Sequence, residues 1–161
     1  MIRIMISKVY IEKELISDTL GVRGYADVII RDTNNLHHVY DIKTINAWSY
    51  KMKFGRKYKD SNPSIHQELQ VATYGLMVEE TMGEIGGLYL LYYNKDSSMI
   101  KQVEINKDML LSAFSYWKSI REGHKGGLPI LGKGISPTYD WECNYCNYKT
   151  QCKKDEESGN G

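Results

Sequence analysis

The run GYADVIIRDTNNLHHVYDIKTI, residues 24–45, constrains this chain more than any other part of it. Two stretches rich in β-branched and aromatic residues, Val22 to Arg31 and Leu36 to Ile45, flank the turn formers Asp32, Thr33, Asn34 and Asn35, so the segment reads as a hairpin. Three charges interrupt it: Asp27, Asp41 and Lys43. Strand side chains alternate between faces, which points Asp41 and Lys43 one way and Ile42 the other. With the turn centred near Asn34, residue 27 falls opposite residue 41, and Asp27 joins the charged face.

Two facing carboxylates repel unless positive charge lies between them. Magnesium or manganese meets that need, being a hard cation that takes oxygen ligands and keeps several waters. Such an ion polarises a phosphoryl oxygen and lowers the pKa of a bound water, and a lysine beside it can position that water or stabilise the developing charge. The set suits phosphodiester hydrolysis. The plainer alternative is a cross-strand ion pair between Asp27 and Lys43 on a solvated sheet. Against it stand the apolar neighbours Val28, Ile29, Ile30, Val39 and Ile42, which mark strands buried on both faces, where an idle charge is costly.

The rest of the chain supplies the frame. Another strand-like run, Lys8 to Ile16, precedes the hairpin, and residues 46–63 read as a loop ending in Ser61-Asn62-Pro63. Helical spacing follows after a cap candidate at Ser64, with Ile65, Leu69, Ala72 and Leu76 down one face; Gly83, Gly86 and Gly87 end it. Two strands, Leu88 to Tyr93 and Met99 to Ile105, enclose the turn NKDSS. A second helix starts near Asn106, is marked by Leu110, Ala113, Phe114 and Trp117, and stops at Gly123. A loop then runs to Asp140, and KKDEESGNG, residues 153–161, reads as a disordered tail. This order predicts an α+β fold, a mixed sheet flanked by helices, and 161 residues suit one domain. There is no apolar run of about 18 residues and no secretory signal, which places the chain in the cytoplasm, away from membranes.

Net charge decides nothing, because 21 basic residues nearly cancel 20 acidic ones. Their distribution says more. Lys51, Lys53, Arg56, Lys57 and Lys59 alternate with Tyr50, Phe54 and Tyr58, which suits phosphate contacts mixed with base stacking. A solvated loop would look similar, but this one lies between the charged strand and the first helix and would overhang the site. Three cysteines, Cys143, Cys146 and Cys152, cannot all pair within one chain, and their spacing in a reducing compartment favours metal. Iron–sulfur and zinc sites are normally held by four ligands, and the sequence offers no fourth cysteine; His124 is a conceivable substitute at a distance from Cys143 that matches no familiar zinc pattern. His37, His38 and His66 read as structural or exposed, although His37 shares the parity of Asp41 and could lie near the site.

Gly24-Tyr25-Ala26-Asp27, Asp41-Ile42-Lys43-Thr44 and Gln70-Val71-Ala72-Thr73-Tyr74 resemble the GxxD, (D/E)xK and QxxxY motifs of the PD-(D/E)XK nuclease superfamily, RecB-like branch, in order and in spacing. The cysteines resemble the terminal CxxCxxxxxC trio of its iron–sulfur members, the CRISPR-associated RecB-like exonucleases and the AddB nuclease domain. The resemblance spans residues from about 8 to 152. It implies a restriction-endonuclease-like core over residues 1–152, with the cysteine segment at 141–152. It implies that Asp27 and Asp41, with the carbonyl of Ile42, bind catalytic magnesium or manganese, that Lys43 acts at the attacking water, and that Gln70 and Tyr74, four apart on one helix face, contact the DNA backbone. It further implies a structural iron–sulfur cluster of the 4Fe–4S type, rather than zinc, at Cys143, Cys146 and Cys152. The chain departs from the pattern in lacking the upstream fourth cysteine, the leading helix and a histidine ahead of GxxD. The implied activity is that of a metal-dependent deoxyribonuclease, an exonuclease on DNA ends or single strands. Its settings would be recombination and repair, phage DNA processing or CRISPR adaptation, with a helicase, an integrase or another recombination protein as partner. The alternative is a non-catalytic DNA-binding or docking module of the same fold.

Overall fold

Asp32 closes the hairpin: its Oδ1 accepts hydrogen bonds from the backbone N–H of Asn34 at 2.8 Å and of Leu36 at 3.0 Å. Asn35 takes a left-handed φ of 63°, which asparagine tolerates in turns. Strands β2 (Val22–Asp32) and β3 (His37–Ile45) then pair antiparallel from Arg31 opposite His37 to Val28 opposite Tyr40, the register that a turn centred on Asn34 dictates. The computed structural model describes residues 5–55, 63–124 and 140–157.

The sheet has five strands in the order β1-β2-β3-β4-β5. Strand β1 (Ile6–Ser17) pairs antiparallel with β2, β4 (Ile85–Asn94) pairs parallel with β3, and β5 (Ile100–Ile105) pairs antiparallel with β4. A parallel pair needs a long crossover connection. Here it carries helices α1 (Ala47–Phe54) and α2 (Ile65–Thr81), while α3 (Met109–His124) follows β5. The architecture is therefore α+β, a mixed sheet with flanking helices, as the order of periodic segments predicts.

Helix α2 packs against β1, β2, β3 and β4. Its buried residues are Val71, Ala72, Thr73, Gly75, Met77 and Val78; of the stripe Ile65, Leu69, Ala72 and Leu76 only Ala72 is fully buried, Leu69 and Leu76 are half-buried, and Ile65 is 40% exposed. A helix laid across four strands buries more than one stripe in its middle and leaves its first turn outside. Ser64 is the N-cap by backbone only, with no side-chain cap hydrogen bond. At the other end, Glu80 receives Ser17 Oγ and both the N–H and Oγ1 of Thr19, which ties the helix to the β1–β2 turn. Against α2 the sheet presents Ile29, Val39, Leu88 and Leu90, all fully buried, and Leu110 of α3 meets Leu88 beside Gly75.

Three expectations are corrected. Residues 47–54 are helical rather than loop, because Asn46 caps them by accepting from Ser49 N at 2.8 Å. Gly86 and Gly87 lie inside β4 rather than ending the helix, which stops at Thr81. Residues 153–157 are not a disordered tail but the end of helix α4 (Lys149–Glu157). The chain divides into two compact units, residues 1–114 and 115–161. The second holds the end of α3, a short 3-10 turn at Asp140–Asn144 and α4. No described helix is long and apolar enough to cross a membrane.

Because Leu88 is fully buried between α2, α3 and the sheet, Leu88→Ala is expected to cost about 3 kcal/mol in urea denaturation through lost transfer energy and the cavity left behind.

Candidate active site

The charged residues of the hairpin meet at one place, though not by strict strand alternation. Gly24 faces α2, since a Cβ built on it would lie 2.9 Å from Cε1 of Tyr74. Ile29 faces α2 as well, through its pairing with Val39, the neighbour of Leu88. These positions are five apart, so the alternation slips once between them. Opposite the slip, Glu12 of β1 takes a φ of +47°. Asp27 sits at this irregularity, beyond the last β2–β3 pair, and its Oδ2 accepts the backbone N–H of Ile42 at 2.6 Å. A break of this kind re-aims a side chain, and here it lashes Asp27 to the residue next to Asp41.

Asp41 is only 2% exposed. Burial pushes its carboxyl above the usual carboxylate range, Lys43 opposes that rise, and nearby Asp27 adds to it. Lys43 Nζ lies 2.7 Å from Asp41 Oδ2, an ion pair at the buried end of the carboxylate. Lys43 also donates to Gln70 Oε1 at 2.6 Å, and Gln70 Nε2 donates to the Tyr74 hydroxyl at 3.4 Å. Tyr74 in turn rests on Gly24, where a methyl group would collide with its ring. Asp27, Asp41, Lys43, Gln70 and Tyr74 are thus one connected constellation, with Gly24 leaving space for its last member.

Tyr92 extends this site in a way that sequence reading missed. It pairs with Lys43 across the parallel β3–β4 ladder, is 1% exposed, and donates its hydroxyl to Gln67 Oε1 at 2.6 Å. Burial, then the charges of Glu68 and Asp41, push its hydroxyl up to about 12. Phe54 meets its ring edge-on at 5.2 Å, and Lys53 Nζ lies 5.2 Å from the ring centroid. Lys53 therefore packs against the site, whereas Lys51 is exposed on α1. Arg56, Lys57 and Lys59 lie outside the described residues. The glutamine and tyrosine partners of Lys43 were legible as motif spacing; Tyr92 carries no local signal, because only the strand pairing brings it there.

His37 does not join the site. It lies at the other end of β3, about 13 Å along the strand from Asp41, with Nδ1 3.3 Å from the carbonyl of Glu84. The residues fit a divalent cation through two carboxylates of adjacent strands, one of them almost fully buried, and the carbonyl of Ile42 beside them. No three His, Cys, Asp or Glu side chains converge on a metal position among the described residues. That applies also to Cys143, Cys146 and Cys152: no disulfide joins them, and they do not form the ligand set that an iron–sulfur cluster or a structural zinc requires.

The sequence model of the PD-(D/E)XK nuclease superfamily matches residues 5–153 of this chain. No curated protein matches it. Among solved structures 21 chains match. One, described as the crystal structure of SSO0001, shares 21% sequence identity at a TM-score of 0.45; the match covers 88% of this chain and 58% of the length of that one.

Two outcomes are expected. Asp41 keeps its proton to higher pH in the folded chain than in the unfolded one, so its charge subtracts from stability above the ordinary carboxylate range. In EDTA at neutral pH, Asp41→Asn should therefore melt above the native chain, and the difference should close below about pH 4. Gly24→Ala should push Tyr74 off its seat and cost about 1–3 kcal/mol in urea denaturation.

Proposed function

The chain belongs to the PD-(D/E)XK nuclease superfamily, and we propose that it is a divalent-metal-dependent deoxyribonuclease whose reaction centre is the Asp27–Asp41–Lys43 constellation. The observation that carries this reading is the buried Asp41 carboxylate, set near Asp27 with the Lys43 ammonium 2.7 Å from its Oδ2. Nature seldom leaves a buried carboxylate oxygen so placed without a use for it.

Asp27, Asp41 and the carbonyl of Ile42 would hold magnesium or manganese, which when bound supplies Lewis-acid polarisation of the scissile phosphate and a more acidic water. The protein's own part is arrangement. Asp27 spends one oxygen on the N–H of Ile42, fixing the backbone between the two carboxylates. Lys43 Nζ carries three donors; Gln70 takes one, Asp41 holds the charge electrostatically, and a remaining donor can orient the attacking water or a phosphate oxygen. Tyr74 and Gln70 stand on α2 at the edge of this centre, where a DNA backbone would pass. Lys51 and the basic stretch that follows α1 would extend the contact along the strand. The resemblance supports the narrower reading of an exonuclease on DNA ends or single strands, working in recombination and repair, phage DNA processing or CRISPR adaptation.

The test is digestion of end-labelled single- and double-stranded DNA with manganese, magnesium or EDTA. Native protein should cleave only with metal, Lys43→Ala and Asp27→Asn should each lose about a hundredfold or more in rate, and a ladder shortening from one end should reveal the exonuclease. DNA binding without cleavage under every metal condition would overturn the reading in favour of a binding module.

A further inference from the structure

The face of the sheet turned away from α2 holds a second pocket. The strand registers place His38, Tyr40, Tyr89, Gln102 and Glu104 on that face, opposite Asp41, Lys43 and Tyr92. Asp32, Asn34, His38, Tyr89, Gln102 and Glu104 are among the residues enclosing a cavity of about 780 Å³ at the hairpin end of the sheet, a size that suits a small organic ligand or a long side chain. It lies away from the nuclease constellation, at the other end of β3, and owes nothing to the nuclease reading.

The pocket is built. Its tightest wall is β4, where a Cβ on Gly86 would lie 2.6 Å from Cε1 of His38 and one on Gly87 would strike the Tyr89 hydroxyl; glycines inside a strand mark such close approaches. Tyr89 stacks on Tyr40 at 4.7 Å and on His38 at 6.0 Å. Asp32 Oδ2 lies 3.3 Å from Nε2 of His38, so a carboxylate, which only accepts, fixes the ring proton on that nitrogen.

Two features are left uncompensated. The His38 side chain is 8% exposed, and its Nδ1 has no hydrogen-bond partner among the described residues. On the neutral ring that atom is a lone pair buried without a donor. The second feature is charge. The described lining residues include Asp32 and Glu104 but no lysine or arginine. Asp32 is occupied by two backbone N–H groups and His38, whereas Glu104, opposite Tyr89 in the β4–β5 ladder, makes no hydrogen bond or ion pair among the described residues. Its negative charge adds to burial in pushing the Tyr89 hydroxyl up. The buried Nδ1 does not face the cavity, so it is the charge that a ligand must answer, and one that brings positive charge and several N–H donors would do so.

We propose that this pocket binds a guanidinium group, free or on the side chain of a partner, with the Glu104 carboxylate as its ion-pair partner and Gln102 and Tyr89 as further acceptors. A guanidinium offers five N–H donors in a planar fork that matches a carboxylate and spreads over several acceptors, where an ammonium offers three about one point.

The experiment is calorimetric titration of the full chain at about pH 8, where an ordinary imidazole is neutral, with N-acetyl-argininamide. Its uncharged analogue N-acetyl-citrullinamide and N-acetyl-lysinamide serve as comparisons. The expected result is saturable binding of the arginine probe at about millimolar affinity or better, with the other two far weaker. Glu104→Gln, a change at an exposed position on an edge strand, should weaken it about tenfold or more. A Gly-Arg-Gly amide that binds more tightly than the single residue assigns the site to a protein partner's side chain, and equal binding assigns it to a free ligand. The proposal is overturned by absence of saturable binding up to about 10 mM, by citrulline or lysine probes binding as well as arginine, or by a Glu104→Gln variant that binds like the native chain.

Discussion

The burial of Asp41 is the constraint that organises one face of this sheet. A carboxylate taken out of water in the middle of β3 is costly unless its charge is neutralised or matched. Lys43, two residues on and on the same face, matches it across 2.7 Å. The ammonium would otherwise swing toward solvent; Gln70 of α2 holds it by accepting at 2.6 Å. The electrostatics of β3 thus depend on where α2 lies, and α2 is placed by its buried residues and by the Ser17–Glu80 tie at its far end. Tyr74, one turn beyond Gln70, then has its ring over Gly24. Core packing and site geometry are on this face the same set of contacts.

The two faces of the sheet divide the chemistry. Toward α2 stand a lysine, two carboxylates and a tyrosine whose hydroxyl is pushed up to about 12 by burial and neighbouring charge, with Lys53 of α1 close by. Away from α2 stand a histidine anchored by Asp32, two stacked tyrosines and Glu104. Because alternate residues of one strand serve opposite faces, His38 and Tyr40 of β3 belong to the second pocket while Asp41 and Lys43 belong to the first. One nine-residue strand therefore contributes to both, and its pairing on either side keeps them apart.

Much of the site was legible because its spacing is local. A turn centred on Asn34 fixes the β2–β3 register, and four-residue spacing puts Gln70 and Tyr74 on one helix face. The slip between Gly24 and Ile29 was not legible. Simple alternation brings Asp27 to the right neighbourhood, but its actual partner, the N–H of Ile42, follows from a break in the ladder. Helix α1 was hidden because none of its residues is fully buried and no apolar stripe marks it; its only signal was the cap at Asn46. The parity of His37 with Asp41 was real, but parity carries no information about distance along the strand. The cysteine spacing was equally real, yet spacing in sequence did not gather three sulfurs in space.

The sequence by itself determined the hairpin, the order of the five strands with helices α2 and α3, and the residue types at the candidate reaction centre, since each rests on interactions among residues a few positions apart. Tertiary structure decided what those residues touch. The parallel pairing of β3 with β4 brings Tyr92 beside Lys43, and the path of α2 across four strands selects its buried residues. The glycines of β4 leave room for His38 and Tyr89. These depend on contacts between segments tens of residues apart, where many pairings satisfy the same local pattern and only the packing of the whole core selects among them.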